Sequence, residues 1–334
     1  MTALAAAKLG YRAHIYAPEA ESPAGDVAWR TTQADYEDQA SLVAFAASVD
    51  AVTVEFENVP ESALKTLAAL KPTRPNAKAL ATAQDRLIEK KFLQSVGFET
   101  APTHVIDSAD NIRTALETLG TAVIVKTRRF GYDGKGQVRV ETAGDADSAW
   151  MALGEQPALA EGLIDFAREV SVIAARDAAG QVICYPAVEN DHENHILRTT
   201  IVPAPNFEAL AEQAEHLVGA AIAALDMVGL LAVEMFVTRD GRLIANEMAP
   251  RPHNSGHWTM DFAATSQFEQ LVRAVMGLPL GDARATQPAM MRNLLGDEAH
   301  DWSTLLAEPK IRLHLYGKRE ARPGRKMGHW SRAL

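Results

Sequence analysis

Cysteine is almost absent: Cys184 is the single one in 334 residues. That excludes an internal disulfide framework and a thiolate metal cluster. Its setting, the apolar run QVICYPAV, predicts a buried, inert thiol. No apolar run approaches the roughly 18 residues that a membrane span needs, so no membrane partner is expected. The opening MTALAAAKLGYR lacks a cleavable signal pattern, which makes the cytoplasm the expected location. Positive charge is also in deficit. With 33 Lys+Arg against 43 Asp+Glu the net charge is −10 and the pI about 5.5. That argues against nucleic acid or an anionic membrane as a general partner, while leaving room for a local basic pocket. What is present is ordinary for a globular protein: 47% hydrophobic and 23% charged residues, in a chain long enough for about two or three domains.

The most informative stretch is LAVEMFVTRDGRLIANEMAPRPHNSGHWT, residues 231–259. Two apolar runs flank Asp240-Gly241, a two-residue hairpin signal. That turn pairs Arg239 with Arg242, Phe236 with Ala245 and Glu234 with Glu247. Carboxylates directly opposite on one face repel, and strands normally avoid the arrangement. A hard cation between them converts repulsion into binding, and magnesium takes one or two protein carboxylates while leaving its other positions to phosphate and water. The alternative is a solvated hairpin whose glutamates keep apart; the apolar flanks disfavour it. Arg251, His253, Asn254 and His257 follow in a Pro/Gly-rich loop, the kind of segment that carries chemistry.

In chain order, a helix ending at Gly10, a strand in AHIYAP, a helix over 36–47, a strand over 51–56 and a helix over 61–70 predict an α/β domain with a parallel sheet. Glu57 and Asn58 lie past the carboxyl end of its second strand, where such sheets bind ligands, the equal alternative being that Asn58-Val59-Pro60 is only a turn and helix start. KPTRPN, residues 71–76, marks a boundary. Helices at 76–82, 85–96 and 109–119 precede a strand ending in Lys126 and the loop TRRFGYDGKGQ. Glycines 131, 134 and 136 let its backbone approach a phosphate, with Lys126 and Lys135 supplying charge. A solvated hairpin loop is the plain alternative. The pattern is neither a P-loop nor a dinucleotide fingerprint, because a strand follows it. A strand over 158–163, a hairpin over 171–188, helices over 206–226 and 266–276, and strands near 289–295 and 311–316 complete the reading. His192 and His195 have no zinc-site pattern around them. The cation-rich segment 318–326 reads either as a solvated tail or as a phosphate pocket turned by Pro323 and Gly324.

With EFENVP, GYDGKGQ, EVSVI, AVEMF, NEMAPRPHNSGHWT and YGKREARPGRKMGH placed, the chain resembles the ATP-grasp superfamily, and within it the 5-(carboxyamino)imidazole ribonucleotide synthase family. The resemblance implies an α+β ATP-grasp fold. Its parts are an N-terminal parallel-sheet domain at 1–75, an ATP-grasp domain at 76–262 with a lid at about 103–163, and a small β-rich C-terminal domain at 263–334. It implies ATP-dependent carboxylation of aminoimidazole ribonucleotide by bicarbonate, through carboxyphosphate, in purine synthesis. The implied cofactors are ATP and Mg²⁺, with Mn²⁺ as a substitute, and the implied state is a homodimer. For ATP it implies Arg86, Lys126, Gly131, Tyr132, Asp133, Gly134, Lys135, Gly136, Gln137, Glu161, Gly162, Leu163, Ile164, Glu169, His192, Asn246 and Glu247. For the metal it implies Glu234 and Glu247. For the ribonucleotide it implies Glu57, Arg251, His253, Asn254, Ser255, Lys318, Arg325 and Lys326. For catalysis it implies Asp133, Arg251 and Lys126.

Two departures stand out. The family opens with a strand and a glycine-rich loop ahead of the helix that starts here at Met1, so an upstream start is expected. Ala249 stands where the wider superfamily often has Asn, so the metal shell should lean on Glu234 and Glu247. Another ATP-grasp carboxylate–amine ligase, or a non-catalytic nucleotide-binding paralogue, are the alternatives.

Overall fold

The structure is a computed structural model that describes residues 1–120, 122–131 and 134–334. The N-terminal unit begins with helix Thr2–Lys8 and a parallel pair, His14–Ala17 beside Arg30–Gln33. Helices Gln39–Ala47 and Glu61–Ala68 close over it. Leu42, Phe45, Leu64 and Leu67 form their shared core, spaced so that each helix turns one apolar face inward. The strand expected over 51–56 is reduced to one parallel bridge, Val52 with Thr73. Two backbone hydrogen bonds make it, Val52 to the Pro72 carbonyl and Arg74 to the Val52 carbonyl. Strand Arg30–Gln33 went unread because RTTQ has no apolar alternation.

Helix Arg86–Ser95 begins at Asp85, whose side chain accepts from the Leu87 and Ile88 amides and also takes two hydrogen bonds from Arg128 at 3.1 and 2.7 Å. One buried carboxylate therefore caps the helix and ties it to the next unit, a four-stranded antiparallel sheet. Its order is Thr103–Ile106, Ala158–Gly162, Val123–Thr127, Gln137–Val140. Helices Ala109–Leu119 and Ala146–Ala152 pack on it around Ile112, Val125 and Ala149. The second of these helices lay hidden in a polar stretch.

The large sheet has ten strands. Phe166–Arg176 is central, with Gly229–Thr238 and Leu243–Ala249 on one side, and Val188–Glu193 and Ile196–Val202 on the other. Helix Glu208–Ala224 covers one face. The strands Ala289–Leu295, Lys326–Ala333 and Arg312–Leu315 continue the same sheet, since Ala289–Leu295 pairs antiparallel with Ile196–Val202. The expected third unit thus shares its sheet with the central one. Strand Lys326–Ala333 was missed because its cationic start resembles a tail. Cys184 is half-buried rather than buried, and burial followed by Glu215 pushes its thiol up to about 12, so it is inert as expected.

The expected two-residue turn at Asp240-Gly241 is not formed. Thr238 donates to the Arg242 carbonyl and Gly241, at φ +83°, donates to Thr238, which leaves the three-residue loop 239–241. Val237 faces Leu243, Phe236 faces Ile244 and Met235 faces Ala245. A bulge then takes up Asn246, and Glu234 faces Glu247 as expected. The extra loop residue and the bulge cancel, so the key pairing survives an incorrect turn.

Gly256, in the loop after this hairpin, has no space for a side chain. A Cβ there would run into Ile173 Cδ1 and stand 2.7 Å from Gln267 Oε1. Gln267 cannot swing away, because its amide takes the His253 N–H and donates to the His253 carbonyl. Gly256→Ala is expected to lower stability by about 1–3 kcal/mol through overpacking. A urea midpoint equal to that of the unsubstituted chain would refute this.

Candidate active site

The Glu234/Glu247 pair forms one wall of a cavity of about 410 Å³ between the large sheet and the four-stranded one. Glu234 Oε1 accepts from His253 Nε2 at 2.8 Å, and Glu247 Oε2 from Arg86 Nη1 at 3.1 Å. Burial opposes ionisation of Glu234, but the His253 hydrogen bond and the charges of His192 and Lys326 outweigh it, and the carboxyl is held well below its ordinary range.

The direction of the His253 bond follows from its neighbours. The Ser255 backbone N–H points at His253 Nδ1, 3.3 Å away, and an amide can only donate. Nδ1 therefore carries a lone pair, and the ring proton resides on Nε2, facing Glu234. A buried chain agrees with this. Thr200 donates to Asn190, Asn190 to Ser171, and Ser171 to Ser255 at 2.8–2.9 Å, which leaves the Ser255 hydroxyl proton for Nδ1 at 2.8 Å. His253 thus orients a metal-type carboxylate.

On the opposite wall Lys126 Nζ donates to Glu161 Oε2 at 2.6 Å. Lys90 Nζ makes a 3.1 Å ion pair with Glu161 Oε1 and donates to the Asn246 carbonyl at 2.7 Å. Burial alone would raise the Glu161 carboxyl, yet the two lysines pull it down to about 2. Of the glycine-loop residues, Gly131, Gly134, Lys135 and Gln137 line the cavity. Gly134 has φ +77° and Gly136 φ +69°, and Cβ atoms there would press on His195 at 3.0 Å and Thr127 Oγ1 at 2.6 Å. Tyr132 and Asp133 lie outside the described residues.

Arg86, Lys126, Glu169, His192, Asn246, Arg251, Asn254, Glu57 and Lys326 also line the cavity. Arg251 Nη2 holds Glu57 Oε1 at 2.7 Å. His192 Nδ1 lies 3.0 Å from Glu169 Oε2 as an ion pair, and Glu169, His192 and Glu234 form a cluster able to hold a cation. Several expected residues stand back from the wall. Glu161 is behind it, and Leu163 and Ile164 border a second cavity beside the hairpin tip. Ser255 is buried in the relay to His253. Lys318 donates to the Lys326 carbonyl and so supports it. Arg325 is exposed and donates to the Glu320 carbonyl. Gly136 and Gly162 are not wall residues.

Sequence reasoning missed Glu89. It is 2% exposed, accepts the Met248 N–H at 2.6 Å, and burial followed by Glu247 pushes it up to about 8. A carboxylate on the inner face of an amphipathic helix was the available signal. It also missed the stacked rings of Phe166 and Phe236, 4.5 Å apart on the cavity wall.

A basic glycine loop facing paired carboxylates, spread over two sheets, defines an ATP-grasp ligase. Family models agree: ribonucleotide synthetase preATP-grasp domain at 1–84, ATP-grasp domain at 91–268 and phosphoribosylaminoimidazole carboxylase C-terminal domain at 289–331. N5-carboxyaminoimidazole ribonucleotide synthase of Brucella melitensis is 48% identical over 99% of this chain and 92% of its own length. The N5-carboxyaminoimidazole ribonucleotide synthetase structure from Thermus thermophilus superposes with TM-score 0.92 at 42% identity, covering 100% of this chain and 90% of that one. An Aspergillus clavatus N5-carboxyaminoimidazole synthase solved with ADP and 5-aminoimidazole ribonucleotide gives TM-score 0.93 at 29% identity, with 100% and 90% coverage. The chain belongs to the N5-carboxyaminoimidazole ribonucleotide synthase family, ATP-dependent ligases of purine biosynthesis.

Glu161 offers a direct test of the lysine tie. Glu161→Gln leaves two buried ammonium groups sharing a neutral amide and should cost about 3–5 kcal/mol in urea without nucleotide. The pH sign follows from the depressed carboxyl. Its contribution is complete above the unfolded value near 4.5 and fades as pH falls towards about 2. The difference between the two proteins should therefore shrink on acidification; a pH-independent gap would refute the assignment.

Proposed function

We propose that the cavity carboxylates the exocyclic amine of 5-aminoimidazole ribonucleotide with bicarbonate, driven by ATP, releasing ADP and phosphate. The observation that carries this is the direct facing of Glu234 and Glu247 across from Lys126 and the glycine loop. The donor set fits magnesium. Among the described residues each carboxylate commits one oxygen to a neighbour, His253 or Arg86, and keeps the other for a hard cation. When bound, Mg²⁺ (or Mn²⁺) neutralises phosphate charge as a Lewis acid.

The chain's own residues do the positioning. Lys126, Lys135 and the loop backbone hold the phosphates in line with bicarbonate. The Phe166/Phe236 pair offers the base an apolar platform. Glu169 and His192, on the cavity wall, contribute to the nucleotide site. Bicarbonate attack on the γ-phosphate gives carboxyphosphate, and this, or CO₂ released from it, meets the ribonucleotide amine. Arg251, pinned by Glu57, stabilises the anion and the ribonucleotide, with Asn254 and Lys326 beside it. Asp133 and Tyr132 take catalytic and nucleotide-binding roles on the family reading alone. Carboxyphosphate hydrolyses readily, so the 131–137 loop serves as the lid that excludes water.

The domain division at 75/76 and 262/263 belongs to the same reading, supported by the matched segments 1–84, 91–268 and 289–331. So do a homodimer and a cytoplasmic location. Among the described residues no helix is long and apolar enough to cross a membrane.

Glu234→Gln and Glu247→Gln should each lower Mg²⁺-dependent, ribonucleotide-stimulated ATP hydrolysis on the order of a hundredfold or more, with unchanged circular dichroism. Full activity in both at saturating Mg²⁺ would remove the metal assignment. On the acceptor side, Lys326→Ala should raise the KM for aminoimidazole ribonucleotide about tenfold to a hundredfold, the worth of one charge-assisted hydrogen bond, and leave the KM for ATP nearly unchanged. Arg325→Ala, whose side chain points away from the cavity, should change KM much less. The reverse ranking would place the acceptor's phosphate outside the cavity.

A further inference from the structure

Behind the acceptor side of the cavity, strands Arg312–Leu315 and Lys326–Ala333 set His314 directly opposite His329. Their rings stack with centroids 4.7 Å apart. Asp261, from the short helix Thr259–Phe262, completes the group. One ligand atom of each of Asp261, His314 and His329 lies within 4.8 Å of the other two. His314 Nε2 is 2.9 Å from Asp261 Oδ2. His329 is fully buried, and among the described residues its Nε2 has no hydrogen-bond partner.

Which form that nitrogen takes can be worked out from a fixed point. The Leu197 carbonyl must receive a donor, so the Asn293 amide nitrogen faces it at 2.8 Å. Asn293 Oδ1 then accepts from Asn254 Nδ2 at 3.0 Å. The same Asn254 nitrogen is 3.1 Å from His257 Nδ1, which therefore accepts. Tyr316 Oη, 2.9 Å from that Nδ1, must donate its proton there. The Tyr316 oxygen is left to accept from His329 Nδ1 at 2.9 Å. His329 thus carries its proton on Nδ1 and presents a bare lone pair at Nε2. An imidazole that donates one N–H to a fixed oxygen and keeps its other nitrogen unprotonated, within 4.8 Å of a second imidazole nitrogen and a carboxylate oxygen, has the make-up of a metal ligand with its supporting hydrogen bond.

We propose that Asp261, His314 and His329 form a second metal site, separate from the Glu234/Glu247 pair, for a zinc-class divalent transition ion. Two imidazole nitrogens and one carboxylate suit Zn²⁺ or Co²⁺ and discriminate against Mg²⁺, which prefers oxygen donors throughout. Three protein ligands leave a fourth position for water, reached past His314, which is a quarter exposed. The ion would join the helix after the metal-carboxylate hairpin to the two C-terminal strands and so brace Lys326, three residues before His329. The site stands on its own geometry and does not require the proposed reaction.

The test is a Co²⁺ titration of chelator-treated full-length protein carrying Glu234→Gln and Glu247→Gln, which removes the catalytic carboxylates as competitors. The same titration is run on the unsubstituted chain in excess Mg²⁺. In both, one equivalent of Co²⁺ should bind with the strong visible absorption of four-coordinate cobalt, and Zn²⁺ should bleach it. His314→Ala, a change at a partly exposed position, should abolish the band. Tyr316→Phe removes the oxygen that orients His329 and should weaken cobalt binding by about 10–100-fold while preserving the band's shape. Absence of stoichiometric uptake, or uptake undiminished in both His314→Ala and Asp261→Ala, overturns the proposal.

Discussion

One buried carboxylate holds this molecule's parts in relation to each other. Glu161 lies on the four-stranded sheet, Lys126 on the strand beside it, and Lys90 on the helix that leads into that unit. Lys90 also reaches the Asn246 carbonyl at the bulge of the Glu234/Glu247 hairpin. Glu161 stays ionised in its buried setting because both ammonium groups face it, and removing it would leave them uncompensated. The set therefore forms whole or not at all. It fixes the position of Lys126 relative to Glu247, one residue along from the bulge, although the two belong to different sheets.

A second constraint concerns direction rather than distance. The hydroxyl and amide chain from Thr200 to Ser255 has one consistent sense, and it delivers a lone pair to His253 Nδ1 and a proton towards Glu234. This explains a dense set of buried polar side chains that would otherwise be costly. They confer a single tautomer at His253, the residue that orients Glu234. The chain ends where the chemistry begins, which is why Ser255, expected to touch substrate, is wholly buried instead.

Much of this could be read from sequence, and the failures have physical causes. Glu234 and Glu247 were legible because two apolar runs around Asp-Gly force a hairpin. The turn itself was misread, since Asp240-Gly241 also suits the last positions of a three-residue loop; what rescued the pairing was a bulge no local signal announces. The glycine loop and Lys126 were legible from glycine spacing after a buried strand. Glu89 and Lys90 were not, because a charged residue on a helix reads as solvated unless its partner is known. Those partners, the Met248 amide and Glu161, lie far along the chain. The tail read equally as a solvated tail or a phosphate pocket, and only its strand register separates Lys326, facing the cavity, from Arg325, facing water.

The continuity of the ten-stranded sheet has a consequence for how the cavity can close. Glu234, Glu247 and Lys326 all belong to that one sheet, whereas Lys126 and the glycine loop belong to the four-stranded one, and among the described residues no strand pairing joins the two. The Glu234/Glu247 hairpin and Lys326 therefore share one support, while Lys126 and the glycine loop reach the cavity from another, held to the first by the Lys90–Glu161–Lys126 tie. A shift of one sheet against the other would change the distance from the glycine loop to the two carboxylates while leaving the spacing between those carboxylates and Lys326 as it is.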